Sequence, residues 1–363
     1  DELGMGGTNK NAYTGAVHNP YDLDRIPGGS SGGCAALVAA GCVPLAIGTD
    51  TGDSIRKPAA YCGVVGVKPT YGRISRYGII PYASSLDHVG YFTTNVKDAA
   101  LALEVLAGRD DHDMTSSYEA VKEYSKLLNV DLTNKTIGVF KTVMDEVKNE
   151  ELKAQFNTLV SKLEEKGAKI VEVEMPKEYM ELIAPVYKTI ANAEATANHS
   201  NLDGIRFGMR EEGQNLEEVM TNTRTKGFSS YVRARFVIGS YSLFEENQDR
   251  LFRKAQKIRR LIVQAYAKMF EECDAVLSVA APTIAPLINE STNVRFGVSS
   301  FAEEHMQLQN FSGYPSITLP LGKVDSMPVA VNLTCKPFEE QKMFDVSSAI
   351  EECTGLKGQC LEG

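Results

Sequence analysis

Short apolar segments alternate with helix-forming segments along most of the chain, and this alternation limits the folds that are open to it. Most of the apolar segments are four to six residues long, and patterns with helical spacing lie between them. Segments that alternate in this way form layers in which helices cover a sheet. The pattern therefore predicts an α/β fold around a parallel or mixed β-sheet.

The individual elements can be placed from their spacing and their flanking residues. We expect strands at residues 43–47, 64–67, 136–140, 169–173, 275–280, 316–321 and 329–333, and helices at 34–40, 96–106, 146–166 and 243–270, the last being the longest. Residues 211–226 are polar, and we predict that they form the most flexible connection. No linker divides the chain cleanly, so we expect one domain over residues 1–363.

The amino-acid composition limits which binding partners and which cellular compartment fit this chain. The formal net charge is −9, which argues against a broad phosphate-binding surface, because direct binding of nucleic acid usually needs a basic face. The seven cysteines include no Cys-x-x-Cys pair, and the five histidines lack metal-ligand spacing. A disulfide framework or zinc site is therefore not expected, and a reducing compartment, the cytoplasm or an organellar matrix, fits better.

Two glycine-rich loops carry three serines. Residues 28–33 read Gly-Gly-Ser-Ser-Gly-Gly and contain Ser30 and Ser31, and residues 49–53 lead from an apolar segment to Ser54. Taken singly, such serines are usually helix N-caps and such glycines are usually turns. The second loop, however, places a hydroxyl beside several backbone N–H groups, which can stabilise an oxyanion. A nucleophile and an oxyanion hole are what acyl transfer requires.

Two other interpretations of the first loop are not favoured. Residues 28–32 match the Gly-x-Ser-x-Gly elbow of α/β-hydrolases, which follows a buried strand, but residues 22–27 contain three charged residues and end in proline. A phosphate-binding P-loop needs a lysine and a hydroxyl after its last glycine, and this sequence has Cys34 and Ala35 there.

Residues 27–90 closely resemble the amidase signature family. The residues that carry the resemblance are 27–33, 48–59 and 62–70. Further segments are similar to the amidase subunits of tRNA-dependent amidotransferases, namely residues 71–78, 83–87, 202–208 and 310–317. The resemblance extends over nearly the whole chain and weakens between residues 109 and 183. It implies a central mixed β-sheet covered by helices on both faces.

The resemblance also implies a Ser–cis-Ser–Lys mechanism. Ser54 matches the nucleophile, and Ser30 matches the bridging serine that relays the proton, with a cis peptide bond between Gly29 and Ser30. The oxyanion hole would consist of the backbone N–H groups of Thr51, Gly52, Asp53 and Ser54. The implied base is a neutral lysine, whose pKa must be lowered by burial or by nearby cations. The resemblance places it ahead of residue 1, so we expect the sequence to be incomplete at its N-terminus, and neither Lys57 nor Lys68 matches its position.

Asp53 departs from the family pattern, which commonly has glycine there. A carboxylate next to a developing oxyanion would disfavour it. Aspartate is also a good cap at the start of a helix. We therefore predict that the Asp53 side chain points away from the oxyanion and caps the following helix.

Three further residues match the substrate pocket of the amidase subunits. Arg235 matches the arginine that holds the α-carboxylate of glutamine, a role that suits the bidentate geometry of guanidinium. The alternative for Arg235 is an ordinary surface salt bridge. Glu303 falls near the family's acidic partner of the α-amino group, and Tyr187 lies near a pocket tyrosine.

The function that the resemblance implies is hydrolysis of glutamine to release ammonia. The ammonia would pass to a partner subunit that converts Glu-tRNA(Gln) to Gln-tRNA(Gln) with ATP and magnesium, so that this chain needs no cofactor of its own. Its partners would be subunits B and C of the amidotransferase. Two alternatives remain open: a stand-alone amidase that acts on another amide, and a structural subunit whose catalysis is impaired.

Overall fold

In the residues that the structure describes, one mixed sheet of eight strands forms the centre of the fold. The computed structural model describes residues 1–206, 208–290 and 300–361, so Phe207 of the segment 202–208 lies outside the described residues. The strands are β1 (Ala46–Asp50), β2 (Val65–Lys68), β3 (His88–Thr93), β4 (Thr136–Phe140), β5 (Lys169–Val173), β6 (Ala275–Val279), β7 (Ser316–Val324) and β8 (Met327–Cys335). Their order in the sheet is β1-β3-β2-β7-β8-β6-β4-β5. Strand β4 runs parallel to β5 and β6, and the other pairs are antiparallel.

Helices cover both faces of this sheet, as predicted. They are α1 (Gly32–Ala39), α2 (Arg56–Cys62), α3 (Val96–Leu106), α4 (Lys141–Met144), α5 (Glu150–Glu165), α6 (Lys177–Asn198), α7 (Leu216–Gly227), α8 (Ser230–Leu243), α9 (Glu245–Gln248), α10 (Lys254–Met269), α11 (Phe301–Glu304), α12 (Gln307–Ser312) and α13 (Glu340–Thr354). Strands β3, β6 and β8 are buried along their whole length, which is typical of strands covered on both sides. Within the described ranges, no helix is both long and apolar enough to cross a membrane.

Several elements begin and end where the sequence predicts. Strands β4 and β5 and helix α3 have the predicted bounds. Helix α3 begins after Asn95, whose side chain accepts a hydrogen bond from the backbone N–H of Asp98 at 2.8 Å.

The polar segment 211–226, which we predict to be the most flexible connection, includes most of α7. This helix has the same kind of asparagine cap, at Asn215.

The first strand lies further along the chain than predicted. We expected a strand at residues 43–47 and a loop from Thr49, whereas β1 begins at Ala46 and pairs with β3 through Asp50. Pro44 has no N–H to donate to a sheet, which explains why the strand starts after it. The turn that carries Ser54 is therefore short, because it begins only at Thr51.

The long helix predicted at residues 243–270 is confirmed within two residues at its start and one at its end, because α9, a π-helical turn and α10 form one continuous run of helical backbone over residues 245–269. Phe244 has extended backbone angles, φ −58° and ψ 141°, and ends α8. Its carbonyl then accepts the N–H groups of Asn247 and Gln248, both at 2.9 Å, so that α9 starts in a new direction. Residues 249–253 form a π-helical turn before α10. Without a π-helical turn, the longest uninterrupted α-helix in the described residues is α6, with 22 residues.

Two leucines of α3 provide a matched test of the core. Leu103 is fully buried, whereas Leu101 is 50% exposed on the same helix. We expect Leu103→Ala to lower the free energy of unfolding by about 2–5 kcal/mol, because it leaves a cavity in the core. Leu101→Ala should change it by about 0.5 kcal/mol. Denaturant unfolding of both variants checks this, and equal losses would contradict the packing described.

Candidate active site

The turn that carries Ser54 is built on a buried ion pair. The Asp50 carboxylate ends β1 and accepts hydrogen bonds from the backbone N–H of Ile55 at 2.9 Å and from Nε of Arg56 at 3.0 Å. Both charged side chains are completely buried. Burial alone would raise the pKa of Asp50, but the Arg56 guanidinium holds it well below its usual range. The pair therefore stays charged and fixes the ends of the turn.

Neighbouring donors hold three carbonyl groups of this turn. Asn310 Nδ2 donates to the carbonyl of Asp50 at 2.9 Å, Arg56 Nη2 to that of Gly52 at 2.9 Å, and the N–H of Lys57 to that of Asp53 at 2.8 Å. In a planar trans peptide the N–H points opposite to the C=O, so the N–H groups of Thr51, Asp53 and Ser54 point away from these donors. In the described part of the chain, no N–H group of residues 51–54 donates to another protein group. Such a cluster of N–H groups favours a negatively charged oxygen.

A cavity of about 430 Å³ opens beside the turn. Gly52, Asp53 and Ser54 form one part of its wall. The structure brings these residues together with three others predicted for the substrate pocket, Tyr187, Arg235 and Glu303. Residues that are up to 251 positions apart in the sequence therefore meet at one cavity.

Ser30 is nearly buried on a segment that contacts the Ser54 turn. The peptide bond between Gly29 and Ser30 is cis, as predicted. The carbonyl of Ser30 accepts a hydrogen bond from Asn9 Nδ2 at 2.7 Å. The next N–H, that of Ser31, donates to the carbonyl of Ser54 at 3.1 Å. This contact holds the two serine loops side by side, while a hydrogen bond between the Ser30 and Ser54 hydroxyl groups stays a prediction.

Arg235 does not form a surface salt bridge in the described residues. Its guanidinium donates to the hydroxyl groups of Tyr82 and Tyr231 and lies 4.7 Å from the centre of the Tyr231 ring. Burial would lower the pKa of Arg235, but Tyr82, Tyr231 and Tyr187 raise it above its usual value. The group is therefore a permanent cation in the wall of the cavity, and a carboxylate could pair with it.

Tyr187 lies directly against the turn. A Cβ atom at Gly52 would be only 3.0 Å from the Tyr187 ring. Glycine at position 52 thus allows the tyrosine to close this side of the cavity. Burial raises the pKa of Tyr187 well above its usual value, so its hydroxyl is neutral.

The prediction that the Asp53 side chain caps α2 is wrong. In the described residues no side-chain hydrogen bond caps α2 at Ile55, and the N–H of Ile55 itself donates to the Asp50 carboxylate, not to Asp53. Asp53 instead pairs with Lys57, one turn later, with 3.6 Å between Oδ2 and Nζ. Asp53 is one of the residues that line the same cavity as Ser54.

Sequence reasoning missed the residues that support the site. Arg56 and Asn310 lie within segments that resemble the family, but nothing in their spacing indicates that they meet. Asp87 accepts hydrogen bonds from the Thr51 hydroxyl at 2.7 Å and from the N–H of Tyr82 at 2.8 Å. No local pattern marks the contact between Thr51 and Asp87, because these residues are 36 positions apart in the sequence.

The chain is similar to known amidases in sequence and in structure. The model of the Amidase family matches residues 1–344. The A subunit of the glutamyl-tRNA(Gln) amidotransferase of Fusobacterium nucleatum is 41% identical over 357 residues, which cover 98% of this chain and 72% of that protein. The crystal structure of the A subunit of the Thermotoga maritima glutamyl-tRNA(Gln) amidotransferase is 33% identical, with a TM-score of 0.79, and the match covers 97% and 72% of the two chains. The peptide amidase of Stenotrophomonas maltophilia is 26% identical with a TM-score of 0.77, over 97% of this chain and 71% of that one.

Removal of one member of the buried pair tests its importance for the turn. We expect Arg56→Met to lower the free energy of unfolding by about 3–5 kcal/mol, because Asp50 is left as an unpaired buried charge. Arg253, 58% exposed and paired with Asp249 on the surface, is the control, and Arg253→Met should cost about 0.5 kcal/mol or less. Denaturant unfolding compares the two, and a small loss in Arg56→Met would contradict the role of the pair.

Proposed function

The chain belongs to the amidase family, and from this premise we propose that it is the glutamine-hydrolysing A subunit of a glutamyl-tRNA(Gln) amidotransferase. The observation that carries the proposal is the shared cavity. On one side lies Ser54, in a turn whose N–H groups have no protein acceptor in the described residues. Arg235 lines the same cavity as a permanent cation.

In the proposed reaction, Ser54 attacks the side-chain amide of glutamine. A bond forms between Ser54 Oγ and the amide carbon, and the hydroxyl proton passes through Ser30 toward the departing nitrogen. The C–N bond breaks, ammonia leaves, and a glutamyl ester remains on Ser54. Water then hydrolyses the ester to glutamate. The proposed base is a neutral lysine, and Lys68 does not fit this role, since its Nζ donates to the carbonyls of Tyr314 and Pro69 and it does not line the cavity.

The turn would stabilise the charge that develops during this attack. The carbonyl oxygen of the amide becomes negative in the tetrahedral intermediate, and fixed N–H donors favour that state over the neutral amide. We assign this role to the backbone N–H groups of Thr51, Gly52, Asp53 and Ser54. Loss of one such donor in other enzymes costs about 3–4 kcal/mol of transition-state stabilisation.

The charges around the cavity suit a free amino acid. Arg235 would pair with the α-carboxylate, and Glu303 would accept from the α-amino group. Tyr187 would cover the substrate beside Gly52. A stand-alone amidase that acts on uncharged amides would need no guanidinium in the wall of this cavity, so this observation favours glutamine over the alternative.

The ammonia would be used by a partner and not by this chain. We propose subunits B and C as the partners, with ATP and magnesium used by the subunit that amidates Glu-tRNA(Gln). The net charge of −9 suits a chain that leaves tRNA to its partner. We place the complex in the cytoplasm or in an organellar matrix.

The nucleophile is tested by replacing Ser54 in the assembled complex. We expect Ser54→Ala to reduce ammonia release from glutamine by about ten thousandfold, since nucleophile removal in serine hydrolases has effects of that order or larger. Ser161→Ala, on the exposed face of α5, is the control and should retain full activity. Ammonia is measured by a coupled assay, and equal rates in the wild type and Ser54→Ala would rule out this nucleophile.

The carboxylate clamp is tested by a conservative change at Arg235. We expect Arg235→Lys to raise KM for glutamine about ten- to a hundredfold, because lysine cannot form the bidentate pair. A simple amide without a carboxylate should be hydrolysed by the variant about as well as by the wild type. If both substrates suffer equally, Arg235 has a structural role and the stand-alone amidase gains support.

A further inference from the structure

Asp53 brings a carboxylate next to the proposed nucleophile. Its side chain is 24% exposed, and Asp53 is one of the residues that line the cavity together with Ser54. A negative charge at this place repels the oxyanion that the turn would stabilise, and the repulsion is strong in a partly buried site. The glycine of the family pattern avoids this conflict, so this chain requires a compensating charge.

Lys57 is in position to supply that charge. Its Nζ lies 3.6 Å from Oδ2 of Asp53, and its side chain is only 10% exposed. The backbone fixes this spacing, because the N–H of Lys57 donates to the carbonyl of Asp53 at 2.8 Å. Nζ also donates to the backbone carbonyl of Glu303 at 3.0 Å. The ammonium group is thus held between the turn and α11.

The remaining charges near Asp53 do not replace Lys57. The pKa of Asp53 is raised to about 6, and burial is the largest cause. Lys57 has the next largest effect and lowers this pKa. Asp50 and Glu304 raise it, and Arg56 lowers it by a smaller amount. Arg56 is also paired with Asp50. The other titratable side chains that line the cavity are Tyr61, Tyr187, Lys188, Tyr231, Arg235, Glu290 and Glu303. Above pH 6 the carboxylate is therefore mainly ionised, and Lys57 is the cation with the largest effect on it.

We propose that Lys57 is a positioning residue that keeps the oxyanion turn functional by neutralising the carboxylate of Asp53. This inference rests on the proposed function and deepens it. Asp53 and Lys57 together then take the place of the uncharged glycine of the family pattern. The competing explanation is that Lys57 only ties α2 to the carbonyl of Glu303.

A double-mutant cycle in the assembled complex separates the two explanations. The variants are Lys57→Gln, Asp53→Asn and the double variant, assayed for glutamine hydrolysis at pH 8. We expect Lys57→Gln to lower kcat about tenfold, equivalent to about 1.4 kcal/mol of activation free energy, with a much smaller change in KM. With asparagine at position 53, the same change should cost less than about threefold, because no carboxylate is left to neutralise.

Two further measurements exclude a merely structural effect. Lys57→Arg keeps the positive charge and should retain most of the wild-type kcat. The activity of Lys57→Gln relative to the wild type should rise as the pH falls from 8 to 6, because protonation removes the charge of Asp53. In the Asp53→Asn background this ratio should not change with pH.

The possible failures can be told apart. Equal losses from Lys57→Gln in the wild-type and Asp53→Asn backgrounds, or no loss in either, would overturn the role of Lys57 while the wild type still hydrolyses glutamine. A wild-type complex that releases no ammonia from glutamine would overturn the proposed function itself.

Discussion

The buried pair of Asp50 and Arg56 determines the shape of the candidate site. Arg56 donates to Asp50, to the backbone carbonyls of Gly52 and Met306, and to the side chains of Gln309 and Asn310. Two charges taken out of water are tolerated only when such hydrogen bonds satisfy them. The bond to the Gly52 carbonyl orients one peptide of the turn, so that the N–H of Asp53 faces away from Arg56. The chemistry proposed for Ser54 depends on this orientation.

A second buried carboxylate joins the turn to Arg235. Asp87 accepts from the hydroxyl of Thr51 and from the N–H of Tyr82, and the hydroxyl of Tyr82 accepts from Arg235. Burial raises the pKa of Asp87 to about 6, and the hydrogen bond from Thr51 is the largest effect in the opposite direction. The separation of the N–H groups from the guanidinium is thus set by a continuous chain of hydrogen bonds. In the proposed reaction, the substrate amino acid must span this distance, with its α-carboxylate at Arg235 and its side-chain amide at the N–H groups of the turn.

Much of the fold could be predicted from the sequence, because periodicity and capping act locally. Strands β4 and β5 and helix α3 follow directly from such patterns. The π-helical turn at residues 249–253 inside the long helix could not be predicted, since no glycine or proline marks it. For the site, the family resemblance singled out Ser54, Ser30 and Arg235, and the structure places Ser54 and Arg235 at one cavity. The error at Asp53 arose because aspartate is a common helix cap, whereas in the structure its carboxylate pairs with Lys57 one turn later.

Ser54 is proposed to carry the glutamyl group between release of ammonia and hydrolysis, and every other role at the site depends on this one. The most direct test is to quench the assembled complex with acid during turnover of glutamine and to analyse its peptides by mass spectrometry. We predict a glutamyl ester on the peptide that contains Ser54, formed and consumed as ammonia is released. Ammonia release with no ester on Ser54 at any time point, or with the ester on another residue, would contradict this role.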